Sequence, residues 1–287
     1  MVRNPVAWIR AAREQTLKEG GGETGAEFIN LHRGLVEHVL DLKHLQASFA
    51  AHFDRVVFLS ADEMRETPDL FWEIYAQALG VPVPARATLD AVLGDDRRSN
   101  RSLGARQAWL ARFNRRTAAT IDLWNGLEGL SGPAAHARTQ FVAQFRNGSR
   151  WAARRLAEHA SDATLNAVFD QGRPAGLAGF KQQFESIAGD WADLDPVPGH
   201  VHRERPALLF EFRTGARGAA SQLGKYADAD ALKRLDAILN AAADPDPEDI
   251  PLDAALRTHL LQCFCDTLES CGTIRPETLA GYRAALT

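Results

Sequence analysis

Cysteine is scarce in this sequence, and long apolar runs are absent. The three cysteines, Cys263, Cys265 and Cys271, lie close together near the C-terminus, so they cannot form a disulfide framework, and we expect a reducing, cytoplasmic environment. No run approaches the roughly 18 apolar residues of a membrane-spanning helix, and the N-terminus lacks a signal-peptide pattern. The 33 basic and 37 acidic residues nearly balance, which argues against nucleic-acid and membrane partners.

An anion-binding turn is the first candidate site along the chain. Asn4 is a favourable N-cap and Pro5 suits the first helical position, so the sequence predicts a helix that begins here. Arg3 then lies beside unsatisfied backbone N–H groups at the positive end of the helix dipole. This arrangement is typical of an anion site, although a solvated N-terminal charge is the simpler interpretation of Arg3.

A short apolar segment predicts the only clear strand in the first half of the chain. In "RVVFLS", residues 55–60, four apolar residues are consecutive, as in a parallel strand that is covered on both faces. The residues before it predict helices, including a long one over about 27–52 with one buried apolar stripe. No earlier strand is therefore available to pair with residues 55–60.

Most of the remaining chain predicts helices. A helix from Thr67 and Pro68 to Gly80 has clear start and stop signals. Further helices are expected at about 103–123, 134–159, 175–188, 229–242, 252–270 and 276–285. The segment "PALLFEFR", residues 206–213, alternates apolar and polar residues and could form a second strand. Proline-rich linkers are expected at 193–199 and 243–251.

Four stretches in order resemble bacterial sulfotransferases that use 3′-phosphoadenosine 5′-phosphosulfate (PAPS). They are "VRNPVAWIRAAREQ", "DRVVFLSADEMRETPDLFWEIYAQALGVPVP", "SNRSLGARQAWLARFNR" and "FVAQFRNGSRWAARRL", which together extend over about residues 2–156. Each motif is short, so the resemblance depends on their shared order and spacing.

The resemblance implies an α/β fold with an incomplete P-loop sulfotransferase-like parallel sheet core and a mostly α-helical C-terminal half. The expected regions are 1–158, sulfotransferase-like, and 159–287, of unknown role. The implied activity transfers a sulfuryl group from PAPS to a hydroxyl of a carbohydrate or small molecule. Arg3 would bind the 3′-phosphate of the cofactor PAPS, and no catalytic base is identified.

Two departures from the family bear on that activity. The family has a serine eight residues after the arginine, where this sequence has Ala11, and its glycine-rich donor loop would precede Arg3. The glycine cluster at 19–28 carries three glutamates and no lysine, so it would repel phosphate. We expect a truncated or degenerate homologue with little or no activity. The alternative is a noncatalytic helical interaction module that oligomerises through an exposed sheet edge.

Several other polar groups have both a functional and a structural interpretation. Asp62 and Glu63 could act as a base or could cap a helix. Arg213, in "RTGARG", resembles a nucleotide-binding motif, and we expect a loop there. For zinc, the set His259, Cys263, Cys265 and Cys271 does not converge on one helical face, so buried thiols are favoured and no metal site is predicted. The remaining candidates are the pair His200 and His202, and the basic loop with Arg97, Arg98, Asn100 and Arg101.

Overall fold

A computed structural model describes residues 2–93, 103–130, 132–169, 173–195, 197–241 and 250–284. The chain divides into two compact units. Unit 1 comprises Met1–Arg13, Gly25–Arg101 and Asp249–Thr287, and unit 2 comprises Glu14–Thr24 and Ser102–Glu248. None of the helices in these ranges has the length and apolar character needed to cross a membrane. The predicted regions 1–158 and 159–287 stay a prediction.

Short helices make up most of unit 1. Helix α1 (Pro5–Lys18) begins in this unit and ends in unit 2. The other helices of unit 1 are α2 (Gly25–Leu31), α3 (Arg33–Val39), α4 (Leu42–Ala50), α5 (Ala61–Glu66), α6 (Pro68–Leu79), α7 (Arg86–Leu93), α14 (Ala254–Cys271) and α15 (Pro276–Ala284). Helix α6 is as predicted: Pro68 begins it and Gly80 ends it with a φ of +69°, a backbone conformation that favours glycine.

Longer helices make up unit 2. They are α8 (Arg106–Asn125), α9 (Pro133–His159), α10 (Asp162–Ala167), α11 (Gly176–Ala192), α12 (Gly199–Tyr226) and α13 (Ala229–Asn240). The helices predicted at about 103–123, 134–159, 175–188 and 229–242 are confirmed as α8, α9, α11 and α13. The polar loop 94–101 and most of the linker 243–251 lie outside the described residues.

The predicted parallel sheet core is wrong, because the described residues contain no strand. Residues 55–59 have no regular secondary structure and form no ladder. One isolated parallel bridge joins Val2 and Ser60, with Val2 N–H donating to Leu59 O at 2.7 Å and Ala61 N–H to Val2 O at 2.7 Å. A strand needs a partner along its length, and Val2 supplies one only at the end of the segment.

The long helix predicted over 27–52 is also wrong. Three short helices, α2 to α4, occupy this range, and Asp41 caps the start of α4 by accepting a hydrogen bond from His44 N–H at 3.1 Å. The apolar stripe is only partly buried: Phe28 and Leu42 lie in the core, whereas Leu31 and Phe49 are exposed. Each break changes the orientation of the next helix. Apolar residues that repeat every 3.6 positions along the sequence therefore no longer all face the core.

The second predicted strand, residues 206–213, lies within α12. Helix α12 packs closely on α9, because Gly215 and Gly148 leave room for the facing backbone. A Cβ on Gly215 would lie 2.3 Å from Phe145 N, and one on Gly148 would lie 2.4 Å from Phe212 Cα. This packing buries Phe212, whose ring stacks on that of Phe145 with 6.5 Å between centroids. Tertiary packing therefore outweighs the alternating pattern.

The two units have separate apolar cores. In unit 2 one large cluster includes Trp124, Phe145, Phe180, Phe184 and Trp191, with several edge-to-face and tilted ring contacts. Unit 1 has two smaller clusters, one centred on Phe264 and Leu268 of α14 and the other on Ile9, Phe28 and Leu260. Each unit therefore buries its own apolar side chains.

Candidate functional site

The turn that holds Arg3, the predicted PAPS-binding residue, is already satisfied by the protein. The side chain of Asn4 accepts hydrogen bonds from Val6 N–H at 3.0 Å and Ala7 N–H at 3.2 Å, which confirms Asn4 as the N-cap of α1. The Asn4 N–H donates to a carboxylate oxygen of Asp62 at 3.3 Å. Arg3 itself is half-buried, and its Nε is buried without a hydrogen-bond partner.

This geometry gives a donor phosphate little to bind. Pro5 has no N–H, and the next two amides of α1 donate to Asn4, so the groups that normally bind an anion at a helix N-terminus are engaged. The carboxylate of Asp62 adds negative charge at the same turn, and Ala11 supplies no hydroxyl. The PAPS-binding role of Arg3 stays a prediction, and the local geometry does not favour it.

Asp62 and Glu63 connect α5 to the C-terminal helices of unit 1. Glu63 is 1% exposed and accepts hydrogen bonds from Arg275 Nε at 2.8 Å and Thr67 Oγ1 at 2.7 Å. Burial alone would raise the pKa of Glu63, but these hydrogen bonds outweigh it and lower the pKa. Asp62 accepts a hydrogen bond from the Tyr282 hydroxyl at 2.6 Å. Burial and this carboxylate raise the pKa of Tyr282. Both acids therefore have structural partners.

The other sequence candidates do not assemble into a site. Arg213 lies within α12, where a loop was predicted, because the glycines after it pack α12 against α9. His200 and His202 are exposed on the first turns of α12. Cys265 is buried, Cys271 is half-buried, and all three thiols are free. The loop with Arg97, Arg98, Asn100 and Arg101 lies outside the described residues.

Sequence reasoning missed an arginine cluster in unit 2. The segment "FNRR", residues 113–116, predicts exposed arginines, but Arg116 is 9% exposed. The guanidinium carbons of Arg112 and Arg116 lie 4.1 and 4.4 Å from the ring centroid of Phe169. Burial, together with the charges of Arg112 and Arg173, lowers the pKa of Arg116 to about 10. Contact with the aromatic face of Phe169 and a hydrogen bond to Ala241 O offset part of the free-energy cost of burying the Arg116 charge.

The segment Arg55–Leu59, here called the edge segment, has an unusual backbone. Phe58 and Leu59 are buried in unit 1, while Val56 and Val57 are half-buried. Within the described part of the chain, the N–H and C=O groups of residues 56–58 make no hydrogen bond. Protein backbone groups are rarely left unpaired next to a core. The edge segment therefore has unpaired backbone groups within the described residues, and its run of apolar residues is the signal that marked it in the sequence.

Exposed apolar side chains lie just before the edge segment in the sequence and at the end of α6. Phe53 is 60% exposed and its ring lies 6.4 Å from that of Phe49. The guanidinium of Arg55 donates to Ala78 O at 3.4 Å, which brings the end of α6 close. Leu79, at the end of α6, and Val81 and Val83, which follow it, are also exposed. Exposed apolar side chains that cluster on one surface are typical of an interaction site.

Comparison with known proteins adds no relative. No protein-family model matches the sequence, and no curated protein and no solved structure is significantly similar to it.

Proposed function

We propose that this chain is a noncatalytic helical interaction protein that forms a dimer through the edge segment, Arg55–Leu59, of unit 1. The observation that carries the proposal is that the backbone groups of residues 56–58 have no hydrogen-bond partner among the residues that the structure describes. Pairing with another strand would satisfy these groups, and the exposed apolar side chains beside them would lose their contact with water. The three free thiols agree with a cytoplasmic location.

A second copy of the chain is the partner that this edge favours. The edge segment holds two valines and a phenylalanine, residues with high strand propensity. Two such segments related by a two-fold axis can run antiparallel, so that each offers the donors and acceptors that the other lacks. Phe53 and Leu79 would then extend the interface with apolar contacts. A partner of different sequence would have to supply the same features without this built-in match.

Sulfuryl transfer is a second prediction that the geometry favours less. The reaction needs a donor held in line with a hydroxyl, positive groups on the leaving phosphate and a base. Near Arg3 the helix amides are engaged, and Asp62 and Glu63 are bonded to protein groups. We expect isothermal titration with adenosine 3′,5′-bisphosphate to give no binding tighter than about millimolar. Micromolar binding that is lost in Arg3→Ala would support transfer instead.

Sedimentation velocity over a range of protein concentrations tests the dimer. We expect a species of twice the chain mass that dissociates on dilution. In a paired strand adjacent residues direct their N–H groups to opposite edges, so Val56→Pro and Val57→Pro would each remove a donor from a different edge. The variant with the larger effect identifies the pairing edge; Leu59, which bonds to Val2, shares its edge with Val57.

A matched pair of surface variants tests whether the dimer depends on Phe53 in particular or on any exposed apolar side chain. Phe53→Ser and Phe210→Ser each remove an exposed phenylalanine, 60% exposed in unit 1 and 69% exposed in unit 2. We expect only Phe53→Ser to weaken the dimer. A monomer at every concentration, or a dimer that all four variants leave unchanged, would disprove the proposal.

A further inference from the structure

A group of three metal-ligand side chains lies at the contact of α4 and α14 in unit 1. His259 Nε2 is 3.2 Å from Asp41 Oδ2, and Cys263 Sγ is 3.7 Å from the same nitrogen. One ligand atom from each residue lies within 4.8 Å of the other two. The zinc-ligand set considered from the sequence, His259 and the three cysteines, omitted Asp41. Asp41 lies 218 residues from His259 along the chain.

Local structure directs these side chains to one point. His259 and Cys263 are four residues apart in α14, so they share a helical face. Asp41 is the N-cap of α4, and its two oxygens have different tasks. Oδ1 accepts the hydrogen bond from His44 N–H, whereas Oδ2 points to His259. One oxygen of Asp41 can therefore bind a metal ion while the other oxygen continues to cap the helix.

We infer that Asp41, His259 and Cys263 form a binding site for a zinc ion. Zinc prefers a tetrahedral set of thiolate, imidazole and carboxylate ligands, with bonds of about 2.0 to 2.3 Å. Such bonds place neighbouring ligand atoms about 3.4 to 3.6 Å apart, which is close to the distances between His259 and its two neighbours. The side chains need only small shifts to surround an ion.

The ligand types favour a transition metal such as zinc over calcium and magnesium. Calcium and magnesium require a shell of oxygens, which a thiol and an imidazole do not provide. On binding, the thiol of Cys263 gives its proton to water as the Zn–S bond forms, and the Asp41–His259 contact is replaced by two metal bonds. Three protein ligands leave the fourth position to water. His259 is exposed over 55% of its side chain, so solvent reaches that position.

The surrounding charges are compatible with a cation at this point. Lys43, the nearest ammonium along α4, forms an ion pair with Asp266 at 2.8 Å. Asp266 also accepts a hydrogen bond from Gln262 at 2.6 Å. The positive charge of Lys43 is therefore balanced by a carboxylate one helical turn beyond Cys263, and Asp41 contributes a further negative charge at the site itself.

Metal titration of the full chain tests the site. We expect one zinc ion per chain in competition with a chromophoric chelator, and a raised midpoint of thermal unfolding in zinc. Cobalt(II), as a spectroscopic substitute, should give a thiolate-to-cobalt charge-transfer band and the visible bands of tetrahedral coordination. Cys263→Ser should remove the charge-transfer band and weaken zinc binding about tenfold or more.

Two further variants keep the test independent of folding. Asp41→Asn retains a side chain that caps helices well but removes the anionic ligand, so circular dichroism should stay unchanged while zinc affinity falls about tenfold or more. Cys271→Ser removes a thiol outside the group and should leave zinc binding unchanged. Absence of stoichiometric zinc binding, or a cobalt spectrum without a thiolate band, would overturn the inference. Sedimentation results do not enter this test, so it stands apart from the proposed dimer.

Discussion

Unit 2 and unit 1 are stabilised in different ways, although one chain forms both. Unit 2 packs long helices around a core rich in tryptophan and phenylalanine, with close backbone contacts at glycines. Apart from α14, unit 1 consists of short helices, with smaller apolar clusters, helix caps and a buried acid, Glu63, held by Arg275. Among the described residues ten large apolar side chains are exposed: Phe210 and Tyr226 lie in unit 2 and the other eight in unit 1.

This difference in packing bears on which unit can bind a partner. A unit that buries most of its large apolar side chains gains stability but presents little for a partner to bind. Unit 1 keeps an open backbone edge and an apolar surface, and polar contacts hold its helices in place. Both the proposed dimer interface and the inferred zinc site lie in this unit. We expect the effects of substitutions in the two units to differ in their physical cause as well as in their size.

The largest effect should come from the glycine contact in unit 2. Gly215→Ala places a Cβ within 2.5 Å of backbone atoms of Phe145, so α9 and α12 must move apart. We expect a loss of about 3 kcal/mol in the free energy of unfolding. Urea unfolding followed by tryptophan fluorescence measures it, because Trp109, Trp124, Trp151 and Trp191 all belong to unit 2.

Gly189→Ala is the matched control for this contact. Gly189 lies in α11 with nothing within 4 Å of an added Cβ, so alanine should leave stability unchanged or raise it by up to about 1 kcal/mol. If Gly215→Ala is equally harmless, the close approach of α9 and α12 does not control the stability of unit 2.

An intermediate effect, confined to unit 1, should come from Glu63. Its pKa is lowered in the folded state, so its contribution to stability is complete above its ordinary pKa and is lost as the pH falls through the folded pKa. Glu63→Gln should destabilise unit 1 at neutral pH and reduce its sensitivity to acid. Hydrogen exchange of peptides from α5 and α15, at neutral pH and at about pH 4, measures both changes.

Asp69→Asn is the control for the acid dependence. Asp69 pairs with Arg86 at an exposed position, so its neutralisation should change stability little. An acid profile that stays the same in Glu63→Gln would show that this buried carboxylate does not stabilise unit 1.

The smallest effect should come from the exposed face of unit 1. Leu31 is 67% exposed, so Leu31→Gln should change the free energy of unfolding by no more than about 0.5 kcal/mol. Phe28, in the same helix, is buried, and Phe28→Ala should cost about 3 kcal/mol. Hydrogen exchange of α2 compares the two variants, and a large loss in Leu31→Gln would mean that this face is covered in solution.

Features with local signals were predictable. Asn4 and Pro5 mark the start of α1, and Pro68 and Gly80 delimit α6, because caps and breakers act on the nearest few residues. Residues 55–60 were predicted to form a strand from their apolar run, which is wrong for the described residues, since a strand depends on a partner distant in sequence. The alternating pattern of residues 206–213 failed for a related reason: packing of α12 on α9 decided that conformation.

The sequence by itself determined the boundaries of several helices, such as α6 and α9, because caps and helix breakers act on the nearest few residues, and its apolar run marked residues 56–59. Only the tertiary structure decided that the edge segment stays without a sheet, that Glu63 is held by Arg275, and that Asp41 meets His259 and Cys263. Contacts between residues more than 200 positions apart follow from how the helices pack, and no local pattern in the chain encodes that packing.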